Sequence, residues 1–136
     1  MPRLLSEREE PNVLRLGDPV SGCRVGLLYR LPTTAERVEY LGGLLRPEAA
    51  GAAGLLELRR RAGLALLLGL EEGSFALPQD GGGARPLSST PGAPDFEPRW
   101  KEFLAERAPE IIEALAWHVF EGYFREGARG EVTKKN

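Results

Sequence analysis

The side chains able to do chemistry are few and scattered. His118 is the only histidine and Cys23 the only cysteine. A zinc site takes three or four ligands, and a serine or cysteine nucleophile takes a base beside it. One of each, far apart in the chain, supplies neither, so His118 is expected as a half-buried helix residue and Cys23 as a small buried hydrophobe in a strand. "GGGARPLSS" (81–89) has glycines and hydroxyls but lacks the G-x-x-x-x-G-K-[ST] order of a phosphate cradle, and reads as linker. General acid–base work needs two carboxylates converging across a cleft. Glu9 with Glu10 and Glu71 with Glu72 are sequence neighbours that point apart, and solvation is expected for both pairs.

Two further groups bear on binding. Arg59, Arg60 and Arg61 are consecutive, so on a helix they form a collar rather than a stripe, with Glu57, Glu71 and Glu72 near enough to offset them. A solvated face or ion pairs between subunits is expected before any contact with nucleic acid. Trp100, Trp117, Phe120, Tyr123 and Phe124 are the aromatic concentration, and aromatics anchor protein interfaces as well as cores. Ile112, Leu115 and Phe120 are assigned to the core. Trp117, Phe124, Tyr123 and Trp100 are the candidate protein interface, Trp117 and Phe124 foremost.

These residues need elements to hold them. "NVLRL" (12–16) and "CRVGLLYR" (23–30) are β-type runs around the turn-rich "GDPVSG", which predicts an N-terminal hairpin over 12–30. Pro32 cannot donate to a strand ladder, and Thr33 with Glu36 has the T-x-x-E spacing of a capping box. Pro32, Thr33 and Glu36 therefore mark a structural joint between strand and helix. Helices are predicted at about 33–45, 48–72, 98–107 and 109–124. "AGLALLLGL" (62–70) is apolar on most sides and is read as the enclosed end of the second helix. Residues 77–98 hold 12 Gly, Pro, Ser or Thr in 22 positions, which predicts a flexible loop over 77–97 acting as an arm or lid. Residues 1–11 and 126–136 are read as flexible ends.

The whole is expected to be one domain, mainly α with a small N-terminal β-hairpin (an α+β chain), its helices packed as a small bundle. With 136 residues and 42% hydrophobic content, one core is the natural arrangement. The net charge of −2 supplies no excess of Lys and Arg for a phosphate backbone. The longest apolar stretch is about half a bilayer span, and the first residues lack the apolar region of a signal peptide, so no membrane contact and no export are expected.

"YRLPTTAERVEY" (29–40), "LLLGLEEGSF" (66–75) and "WKEFLAERAPEIIEALAWHVFEG" (100–122) together resemble small phage or prophage proteins from the tail-assembly region. The likeness spans residues 25–122. Its pieces are a capped joint and amphipathic helices, so it transfers no binding residue to a numbered position. It implies a non-enzymatic assembly factor or minor structural protein without cofactors. Such a protein works in the bacterial cytoplasm or on the virion, as an oligomer or on a tail-tube or tape-measure protein. The other readings are a small regulatory adaptor touching nucleic acid through Arg59–Arg61, and an enzyme with His118 as its handle.

Overall fold

The computed structural model describes residues 11–122. Strands β1 (Asn12–Gly17) and β2 (Arg24–Tyr29) form an antiparallel hairpin, with Asn12 opposite Tyr29 and Gly17 opposite Arg24. Asp18 shapes the turn: its carboxylate accepts from the Val20 N–H and the Ser21 hydroxyl, and Gly22 supplies the positive φ of 76°. Leu14, Val25, Leu27 and Tyr29 point to the buried face of the hairpin. On the other face Arg15 reaches Glu71 across Gly26, where any Cβ would collide with the Glu71 carboxylate.

Helix α1 (Thr34–Leu44) starts where β2 ends. The Thr33 side chain accepts from the Glu36 N–H at 3.1 Å, and Glu36 Oε1 accepts from the Thr33 N–H at 2.8 Å. Glu36 also takes both arms of the Arg30 guanidinium at 2.8 Å each. That pair, followed by the Thr33 N–H, holds the Glu36 carboxyl down at about 2. Arg30 further donates to the Ala65 carbonyl, so the joint fastens the end of β2 to the distant end of the next helix.

A short 3-10 turn (Pro47–Ala50) leads into α2 (Ala52–Leu66). Then α3 (Trp100–Arg107) and α4 (Pro109–Ala116) follow late in the chain, α4 running on into a π-helical turn over Trp117–Glu121. Helices α2 and α4 pack most extensively. Gly63 makes this possible, because a Cβ there would overlap the Ile112 carbonyl oxygen. Leu27, Leu66, Ile112, Leu115 and Ala116 are wholly enclosed between sheet and helices. Each enclosed Leu or Ile contributes about 2 kcal/mol by removal of apolar surface from water.

The expectation of a mainly α helix bundle with one hairpin is overturned. Among the described residues there are four α-helices and five strands, the strands lying in two antiparallel sheets. The predicted helix over 48–72 stops at Leu66, and the chain enters β3 (Leu67–Leu70) at once. β3 completes a three-stranded sheet in the order β1-β2-β3, with Leu27 opposite Leu70 and Tyr29 opposite Leu67. A short apolar run satisfies helix and strand equally, and here β2, already buried at Val25, Leu27 and Tyr29, supplies the second edge that decides it.

The flexible loop expected over 77–97 is likewise corrected. It contains the hairpin of β4 (Ala76–Pro78) with β5 (Ala84–Pro86), turned by Gly81, Gly82 and Gly83 at positive φ. Beyond it Leu87 is buried, and hydroxyls tie the segment down. Ser88 and Thr90 donate to Glu72 Oε1 at 2.8 and 2.9 Å, and Ser89 Oγ accepts from the Leu70 N–H at 2.7 Å. Ser89 Oγ thus meets both the N–H and the carbonyl of Leu70 at the end of β3.

Candidate functional site

The two faces of α1 carry opposite chemistry. On the inner face Tyr40 is 2% exposed and its ring stacks on Phe120 at 4.2 Å between centroids. Its hydroxyl donates to Glu121, and Arg59 from α2 donates to the same carboxylate through Nε at 2.9 Å and Nη2 at 3.1 Å. Burial and the adjacent Glu121 carboxylate push the Tyr40 hydroxyl well above its ordinary range. Arg59 is raised by its bond to Glu121. Tyr40, Glu121 and Arg59 thus tie α1, α2 and the turn after α4 together.

The outer face shows three apolar side chains in one line. Val38, Leu41 and Leu45 are 66%, 49% and 88% exposed, at spacings of three and four residues that align them on a helix. Thr34 extends the line at its start. Large apolar residues scattered singly are ordinary on a protein surface, whereas these three are aligned. Between α1 and α2 lies a depression of about 270 Å³ lined by Glu39, Tyr40, Arg46, Leu58, Arg61 and Phe120, with no member of the stripe among its lining residues.

The aromatic candidates fall elsewhere. Trp100 is half-buried against the core, with the Lys101 ammonium 5.8 Å from its ring centre. Trp117 is also half-buried, and its ring fills the space a Cβ on Gly122 would take. Tyr123 and Phe124 lie outside the described residues. Pro32, Thr33 and Glu36 form the joint already described, which positions α1 and brings no ligand-binding group with it.

The reactive candidates stay dispersed. His118 is half-buried, and burial lowers its pKa. Cys23 is exposed rather than buried, because it sits at the foot of the β1–β2 turn instead of inside β2. The arginine collar is divided: Arg59 is locked on Glu121, Arg60 pairs with Glu57 and Glu113, and Arg61 is exposed. The pairs expected at a solvated face or between subunits are thus made within the chain for the first two. Glu71 and Glu72, expected solvated, hold Arg15 and the Ser88–Thr90 hydroxyls.

Among the described residues no three of His, Cys, Asp and Glu come together as a metal site requires, and no helix is long and apolar enough to cross a membrane. The sequence signal for the α1 stripe was present in the spacing of Val38, Leu41 and Leu45, but it shares its helix with the equally periodic Tyr40 and Leu44, and only packing tells the two lines apart. The Tyr40–Glu121–Arg59 cluster left no local signal, since its members lie on three separate elements. No protein-family model, curated protein or solved structure matches the chain.

Proposed function

We propose that this protein is non-enzymatic and acts through protein contacts, as an assembly factor or minor structural component of a phage or prophage tail. The observation that carries the contact reading is the uncovered line of Val38, Leu41 and Leu45 on a helix whose other face is firmly locked. A rigid helix displaying an apolar line is the geometry of helix-to-helix or helix-in-groove recognition. The tail assignment rests on the resemblance carried by residues 29–40, 66–75 and 100–122. A nucleic-acid adaptor draws little support, because Arg59 and Arg60 are engaged by carboxylates and leave Arg61 as the exposed member of the trio.

The test is direct binding of the purified chain to purified tail-tube and tape-measure proteins from the same genome, by calorimetry or co-sedimentation. Saturable binding to one of them that Leu45→Glu or Val38→Glu abolishes is the expected result. Absence of binding to either, with metabolic genes flanking this one, would overturn the tail reading.

A further inference from the structure

We infer that the outer face of α1 pairs with the same face of a second copy of this chain, antiparallel and about a two-fold axis. The assignment rests on the reading that this face is a protein contact, and names its occupant. Three observations lead to it.

The first is the shape of the stripe. Thr34, Val38 and Leu41 on α1 and Leu45 at its C-cap line one side, and the Leu45 end of that line is the most exposed. Reversing one such helix on another sets Val38 against Leu45 of the other copy and Leu41 near its own symmetry mate. A two-fold interface uses one patch twice, so it must complement itself in this way.

The second is charge. Glu39 and Arg46 are both exposed, and among the described residues neither makes an ion pair. Both border the depression between α1 and α2, so they flank the stripe on the same side. They are seven positions apart in the sequence, as are Val38 and Leu45. The midpoints of the two pairs fall within one residue of each other, beside Leu41 and Gly42. A single axis there therefore seats the apolar pair and, at the same time, brings each Glu39 to the Arg46 of the second copy. Opposite charges meet twice across the axis, whereas a parallel two-fold would carry the two charged rows to opposite flanks, where neither meets a partner.

The third is Gly42, beside the proposed axis. A side chain added there would meet nothing within 4 Å, so the surface is open at that point. Glycine there leaves room for another backbone to approach closely.

The experiment uses the full chain and two charge-reversal variants, followed by sedimentation velocity across a dilution series. The parent is expected to pass from monomer to dimer as concentration rises. Glu39→Arg and Arg46→Glu, each alone, should weaken that association at least about tenfold, because each replaces two attractions by two repulsions. Mixed together they should restore it, since in the mixed dimer both contacts across the axis again join opposite charges. The double variant carrying both reversals should also recover parental self-association. A misfolded protein gives no such rescue, and matching circular dichroism melts check the single variants.

Two results overturn the inference. One is a chain that stays monomeric at every concentration, whether or not it binds a tail protein; binding lost with Leu45→Glu would then leave the proposed function standing with a different occupant. The other is a dimer indifferent to both charge reversals and to Leu41→Glu, which places the self-contact on another surface.

Discussion

Tyr40 and Leu41 are neighbours in the chain and opposites in the fold. Tyr40 lies under Phe120 and donates to a carboxylate that also holds Arg59, whereas Leu41 leaves half its surface to water. About 100° of helical rotation thus separates a side chain locked into the core from one half open to water.

The sharpest way to break this contrast is to truncate each side. Tyr40→Ala should destabilise the protein by about 3 kcal/mol or more, through the lost aromatic packing and the cavity left behind. Leu41→Ser should stay within about 0.5 kcal/mol, as surface substitutions do. Urea denaturation at low protein concentration measures both, and equal effects would erase the distinction between the faces. Next in size is Glu121→Gln, which leaves Arg59 without its counter-charge in a partly buried setting. A loss of about 2 kcal/mol is expected by the same measurement.

Smaller effects belong to the joint that aims α1. Thr33→Ala removes the side-chain half of the capping box and should cost about 1 kcal/mol. The acid response follows from Glu36. Its carboxyl is held at about 2 against an ordinary 4.5, with the Arg30 pair as the main cause. A depressed carboxylate stabilises the folded state fully above its unfolded value, and that contribution fades as pH falls from about 4.5 toward 2. Melting temperature followed through that window should drop less steeply in Glu36→Gln than in the parent. Identical slopes would show that Arg30 and Glu36 do not act as a pair in solution.

What could be read in the sequence was local. The hairpin over 12–30 announces itself by alternation and a Gly- and Asp-bearing turn, and the T-x-x-E spacing at Thr33 and Glu36 involves residues whose partners are three positions away. The bundle failed because its decisive residues depend on distant ones. Leu67–Leu70 became a strand since β2 offered an edge, and no property of "LLGL" alone distinguishes that outcome from a helix end. The segment after Pro78 looked structureless because its order comes from hydroxyls meeting Glu72 and Leu70, contacts that leave no periodicity behind. Of the exposed stripe, the spacing of Val38, Leu41 and Leu45 was visible but its exposure was not. Trp117 and Phe124 stand off the Ile112–Leu115–Phe120 line by their spacing; of the two, Trp117 lies among the described residues and is half-buried.

The passage from α2 into β3 has a consequence for how this chain can vary. Gly63 is pinned against Ile112, Leu67 is paired with Tyr29, and only Leu64, Ala65 and Leu66 lie between the two anchor points. Most proteins absorb insertions and deletions in exposed connections, but here no slack exists. One added residue would swing everything after it by about 100° around the helix and flip the strand's inward and outward positions. Length variation among natural versions of this protein should therefore accumulate around the glycine turn at 81–83 and leave the stretch from 63 to 67 untouched.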